Sequence, residues 1–350
     1  MSVYRCIVRK YSERILMKNM TFIFLFALVS YCTNSFSKSK GDSSHDVFAT
    51  GISAFGEGEN TRLLAWTRDG KLKFLNLSFD EQKTLNLKGN YINAITPYPS
   101  GFLVLTTVET KNGGTNTFII DVNEKGEIQN RWQSVNRESV FQFYSAAFDG
   151  GKRLATTQGF MDNPNELLEL LPNGQIKTME KFPNKVFVLP VGNGAPIICG
   201  EPNLTMQYSS VAYCKCESET PWKIEDTWEK TPPILCNNYL IEETGKFSRK
   251  NNVKDAEKIA VRELLKGEEV NSRPIPAYGS AGGFRFLRCS ENKVVIGTSD
   301  KLIVASVPDL KNVGTVDCGI PEPRDAILIG DTAYCINGKG KLVKKSLKPQ

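Results

Sequence analysis

The sequence predicts an all-β fold built from seven repeated sheets, and three observations carry that prediction. A short apolar run, a Gly/Asn/Asp turn, a second apolar run and a third recur seven times along the chain. The second run of each unit is anchored at Leu64, Val104, Leu154, Ile197, Leu240, Val295 and Tyr334, in steps of 40, 50, 43, 43, 55 and 39 residues. The turns carry Asp-Gly or Asn-Gly between apolar runs, the strongest short-range hairpin signal. A period of about 40–50 residues made of short strands marks propeller blades. The expected architecture is therefore a seven-bladed β-propeller of four-stranded antiparallel blades over residues 46–348.

The segment before the repeats reads differently. Thr21 to Val29, TFIFLFALV, follows Lys18, and no acidic residue follows it until Asp42. A short apolar core behind a positive charge suits a secretory signal, and it is too short for a bilayer span of roughly 20 residues. Residues 1–37 are read as a signal peptide whose true start is either Met1 or Met17, and residues 38–45 as a flexible tether. Two processing routes stay open. Ser35-Phe36-Ser37 favours cleavage before Lys38, whereas Leu28-Val29-Ser30-Tyr31-Cys32 is similar to a bacterial lipobox, which would make Cys32 the lipidated amino terminus. The second route departs from its pattern at Tyr31, where a small residue is usual.

Units one, six and seven align on tight turns: LLAWTRDGKLKFL, VVIGTSDKLIVAS and TAYCINGKGKLVKKS. Units two to five keep the strands but lengthen the link between the second and third, through ETKNGGTN, QGFMDNPN, EPNLTMQYSS and TGKFSRKNNVKDAE. Asp255 to Gly267 has an N-cap candidate, helix formers and a terminal glycine. A strand is nevertheless expected there, because ELLKGEEV mirrors ELLPNGQI of unit three. The seventh unit supplies three strands, and residues around His45 to Thr50 are expected to complete it, removing a sheet edge that would template aggregation.

With the strand order and spacing in view, residues 46–348 resemble the seven-bladed β-propeller superfamily of YVTN-type and WD-repeat-type proteins. Signature words are missing: there is no Gly-His…Trp-Asp pair, no kelch double glycine and no tryptophan-docking motif. The resemblance implies a platform whose loops carry function. It also implies the role that propeller lipoproteins of this type commonly have, as adhesins or assembly scaffolds.

Composition narrows the chemistry. The net charge is +6, but residues 1–37 hold five basic residues and one acidic residue, which leaves the remainder at +2. A mature chain so near neutrality lacks the electrostatic footprint of a nucleic-acid binder. The single histidine, His45, precedes the first unit, so neither Ser-His-Asp or Cys-His catalysis nor a His-based zinc site can be built in the fold. No haem motif is present. Nine cysteines occur, seven of them in the repeats. An exported chain can oxidise them. Cys199 and Cys214 flank a hairpin link, and Cys236 and Cys289 each close the first strand of their unit, so these four are the disulfide candidates. Cys214-Lys215-Cys216 places two thiols on one face of a strand, but no CxxC pair or histidine completes a tetrahedral metal set.

Links between second and third strands all emerge on one face, so four long ones in consecutive units build a raised arc over half the rim. Phe160, Met161, Asp162, Met206 and Tyr208 lie in those links, and Lys246, Arg249, Lys250 and Lys254 form a basic cluster in unit five. Loops carry binding residues disproportionately. The expected function is an exported binding or scaffold protein, periplasmic, lipid-anchored at the outer membrane or extracellular. It would engage a protein or glycan partner through this arc, with membrane contact only through a lipid anchor and no resident cofactor. The competing reading is a carboxylate-based propeller hydrolase or lactonase with a central Ca²⁺, although no spacing nominates its acids.

Overall fold

A computed structural model of the chain describes residues 49–56, 58–87, 90–110, 115–134, 142–149, 151–158, 165–182, 185–189, 197–201, 213–215, 222–223, 227–229, 233–248, 253–254, 258–264, 266–274, 286–298, 300–319 and 323–349. The chain divides into two units, Met1–Asp46 and Val47–Gln350. The signal segment, the tether and Cys32 lie outside the described residues.

Antiparallel pairing of consecutive strands builds one sheet after another. The first holds β1 (Ala49–Phe55), β2 (Arg62–Thr67), β3 (Lys71–Leu75) and β4 (Glu81–Asn86). The second holds β5 (Tyr91–Tyr98), β6 (Gly101–Glu109), β7 (Thr115–Asn123) and β8 (Ile128–Gln133). The third holds β9 (Gln142–Asp149), β10 (Lys152–Gln158), β11 (Asn165–Leu170) and β12 (Ile176–Phe182). The fourth holds β13 (Lys185–Leu189), β14 (Ile197–Glu201), β15 (Tyr213–Lys215) and β16 (Trp222–Lys223). The fifth has β17 (Thr227–Glu229), β18 (Ile234–Cys236), β19 (Tyr239–Ser248), β20 (Val253–Lys254), β21 (Lys258–Glu263) and β22 (Glu269–Pro274). In the sixth, β23 (Phe286–Ser290), β24 (Lys293–Gly297), β25 (Leu302–Ser306) and β26 (Asn312–Val316) are joined by the carboxy-terminal β30 (Lys348–Pro349). The last consists of β27 (Asp325–Ile329), β28 (Thr332–Ile336) and β29 (Leu342–Ser346).

The core lies between sheets, which explains why the second strands read as continuous apolar runs rather than alternating ones. In β6, Phe102 and Val104 pack with Leu64, Trp66 and Phe74 of the first sheet. Their neighbours Leu103 and Leu105 pack with Phe143, Ala155 and Leu168 of the third. The period of two in strand side chains thus serves two interfaces at once. Equivalent clusters join the third sheet to the fourth through Leu154 and Val188, and the fifth to the sixth through Ile241 and Val294. Others join the sixth to the last through Val304 and Ala333, and the last back to the first through Tyr334 and Ile52. That return contact makes a ring. All seven anchor residues fall in the second strand of their sheets.

Several expectations are corrected. Six sheets have four strands or more and form complete blades, whereas the last has three, so the described blade count is six rather than seven. Ala49 and Thr50, placed by the sequence in a closing strand of the last unit, instead open β1, with Ala49 opposite Thr67. His45 to Phe48 lie outside the described residues. The carboxy terminus adds an outer strand to the sixth sheet, with Thr315 opposite Lys348 and Gly314 opposite Pro349. The unit-five stretch with helical character, by contrast, agrees with expectation: it is a strand, β21, over Lys258–Glu263.

The inner edge of the fifth sheet is split. β18 pairs with the near half of β19, Cys236 opposite Tyr239, and β17 pairs with the far half, Thr227 opposite Lys246. The sequence between them contains Pro232 and Pro233, which have no N–H to give a ladder.

Candidate binding face

In an up-and-down antiparallel sheet, the link after the second strand and the link leading on to the next sheet leave at the same end. The second-to-third links therefore share one face of the ring. Three of them are tight, and each is closed by the residue that ends its second strand or follows it. The Thr67 hydroxyl accepts from the Lys71 N–H at 3.1 Å. The Thr298 hydroxyl donates to Lys301 O at 2.7 Å. Asn337 Oδ1 accepts from the N–H groups of Lys339 and Lys341 at 3.0 Å each. Asp69, in the first of these turns, is bonded by the Thr67 hydroxyl and paired with Lys71, and these partners hold its carboxyl below the usual range.

Two other links are ribbons that prolong their sheets. β6 and β7 run nine residues each, with Glu109 opposite Thr115, against six and five residues for β2 and β3. Three further residues extend a ladder by about 10 Å. Three residues of the stretch that the sequence reads as a loop, ETKNGGTN, are thus strand: Glu109, Thr115 and Asn116. β19 runs ten residues, and its far end pairs with β20, Phe247 opposite Lys254. Lys246 sits in β19 and Lys254 in β20, so the structure brings these two backbone positions to one ribbon. Phe160, Met161, Asp162, Met206, Tyr208, Arg249 and Lys250 fall in links outside the described residues.

On the same face, the Arg68 guanidinium lies 5.7 Å from the centre of the Tyr91 ring. Asn93 Nδ2 donates to the Thr107 hydroxyl at 2.6 Å. These groups suit hydrogen bonding and stacking with a partner surface. Among the described residues no group of three His, Cys, Asp or Glu comes together to hold a metal ion.

The platform under this face is stitched across its inner strands. Asp325 of β27 is buried, pairs with Arg288 of β23 at 2.9 Å and accepts from the Ile52 N–H of β1 at 3.0 Å, so one carboxylate ties three consecutive sheets. Thr96 of β5 donates to Ala146 O of β9 at 2.9 Å, and the Val188 N–H of β13 donates to the Ser145 hydroxyl at 3.0 Å. Between the second and third sheets, buried Asp121 accepts from Arg153 Nε at 2.6 Å and from the Tyr98 hydroxyl. The Tyr98 ring stacks on Phe148, centroids 4.4 Å apart. Burial pushes the Tyr98 phenol up to about 12, with the Asp121 carboxylate adding to the shift.

Among the described residues, two disulfides fasten the later sheets. Cys236 to Cys289 joins the inner strands of the fifth and sixth, and Cys318 to Cys335 joins the link after β26 to β28. Cys199 and Cys214 are direct register partners across β14 and β15. Sequence reasoning did not nominate Cys318 and Cys335. The available signal was parity: Cys335 is adjacent to Tyr334, which faces the first sheet, so Cys335 must face the sixth.

The ring of consecutive antiparallel sheets defines a β-propeller, and solved structures agree. BamB from Moraxella catarrhalis is similar, with a TM-score of 0.50 and 10% identity over 88% of this chain and 99% of that one. The computationally designed Ika8 protein gives 0.53 and 11% identity over 88% and 98%. The Pan2 WD40 domain of Neurospora crassa gives 0.54 and 10% identity over 86% and 90%. No family model matches the chain, and no curated protein does.

Proposed function

We propose that this chain is an exported binding scaffold that engages a protein partner through the link-bearing face, chiefly through the arc of the second to fifth sheets. The observation that carries this reading is the unevenness of that face. Tight turns close the sixth, last and first sheets, while the ladders of the second and fifth continue past them as ribbons. Long surface features on a compact domain are usually functional, and a rigid ring with projecting loops is an arrangement in which loops supply specificity. The apolar Phe160, Met161, Met206 and Tyr208 and the cations Lys246, Arg249, Lys250 and Lys254 belong to the links of that arc, a mixture suited to a protein surface with acidic groups around an apolar centre. Export is supported by the apolar segment Thr21 to Val29 behind Lys18 and by two disulfides, which persist in oxidising compartments.

Two measurements test the reading. Intact mass of the mature protein should show either acylation at Cys32 or cleavage before Lys38; a chain retaining residues 1–37 would refute export. A partner captured from an envelope fraction should be lost by the Phe160→Ser variant and by combined Lys246→Glu, Arg249→Glu and Lys250→Glu. Equal capture by all variants would remove the arc as the site.

A further inference from the structure

We infer that the outer edge of β29 is a strand-acceptor site for an acidic peptide segment, on the rim and independent of the link-bearing face. β29 is the outermost strand of the last sheet among the described residues. The Asn337 N–H bonds Lys341 O at 3.0 Å and the Leu347 N–H bonds Asp331 O at 2.9 Å. Residues 341, 343, 345 and 347 therefore turn their backbone groups inward to β28, and alternation turns those of Leu342, Lys344 and Ser346 outward. Such an edge offers a row of N–H and C=O groups to an added strand.

Charge selects the occupant. Lys344, Lys345 and Lys348 are all exposed, and no acidic residue lies between positions 332 and 350. Lys344 and Lys345 point to opposite faces of the strand. The Lys344 ammonium leans 5.5 Å from the Tyr334 ring centre and reaches Leu77 O at 3.2 Å. Asp331, the acid at the near end, is paired with Lys293 at 3.2 Å. A second copy is a poor occupant, because two such edges would set lysine opposite lysine. A strand with carboxylates on both faces complements the edge and gains ladder hydrogen bonds as well. An anionic lipid surface would use the lysines but not the ladder, and that difference separates the two ligands experimentally.

The test uses the full chain and a short blocked peptide alternating Glu and Val, with binding read by fluorescence anisotropy. Ser346→Pro removes one outward N–H and leaves every lysine in place; it should weaken binding about tenfold, the effect of one lost hydrogen bond. Ser346→Ala should bind as the parent does. Lys344→Glu with Lys345→Glu should weaken binding by a similar factor or more. The amides of Leu342, Lys344 and Ser346 should exchange rapidly in the free chain and slow on peptide addition. The inference is overturned by undiminished binding to Ser346→Pro, which would mark a simple cationic patch of the kind phosphatidylserine vesicles also bind. Slow exchange of those three amides without peptide, showing the edge already filled, overturns it too, as does failure of the parent chain to bind.

Discussion

At the scale of residues, two buried carboxylates, Asp121 and Asp325, act at joints between sheets. Asp121 contacts Arg153 and Tyr98 across the second and third sheets. Replacing Arg153 with Met leaves Asp121 buried without its cation, and loss of one partner of a buried pair costs on the order of 3 kcal/mol; urea unfolding of R153M should show it. Tyr98 gives a pH signature. Its phenol is raised from 10.0 to about 12 in the folded state, so the native form holds the proton more tightly than the unfolded form does. The stability it contributes is complete below about pH 10, the unfolded value, and is lost as pH rises toward 12. The difference in tyrosinate absorbance between the parent and Tyr98→Phe should accordingly be missing at the ordinary tyrosine midpoint and appear only in the more alkaline range. A difference spectrum with the ordinary midpoint would show that Tyr98 is not held by Asp121.

At the scale of elements, legibility depended on whether a signal was local. The second strands were readable because Leu64, Val104 and Val295 sit in runs buried on both faces, and such runs need no distant partner to be recognised. The ribbons were not. Thr115 and Asn116 extend β7 beyond its apolar part, and Thr244 and Gly245 continue β19; polar residues there read as loop although β-branched threonines suit a strand. The ends of the chain were harder still, because a pairing that skips over a whole intervening sheet, such as Thr315 with Lys348, has no local mark. That is why β30 on the sixth sheet was not legible in the sequence. Gly314 permits that clasp: a Cβ there would lie 2.3 Å from Lys348 O and 2.9 Å from the Leu347 side chain. Gly314→Val should release β30 while leaving the ring folded, seen as faster carboxypeptidase trimming and faster exchange of the Lys348 amide. Of the candidate site, the sequence disclosed which links are tight and which are long. It could not disclose the ties at Asp325, whose partners Arg288 and Ile52 come from sheets on either side.

At the scale of the whole molecule, each sheet is contiguous in sequence apart from β30 on the sixth, so the ring is assembled from local hairpins and closed by one long-range interface between the last sheet and the first. Closure is reinforced covalently just before it, by two disulfides with separations of 53 and 17 residues. In the chain-entropy view these contribute about 4 and about 3 kcal/mol. The double variants Cys236→Ser/Cys289→Ser and Cys318→Ser/Cys335→Ser should lose stability in that order in thermal or denaturant melts. Equal losses would show that native-state strain, not loop length, dominates.

The fifth-sheet ribbon lies wholly within the span that Cys236 and Cys289 bracket. Trypsin cutting after Lys246, Arg249, Lys250 or Lys254 would therefore leave two polypeptides that still migrate together, and only a thiol reductant would part them on a gel. A single cut in this projection would therefore nick the chain without shedding a fragment.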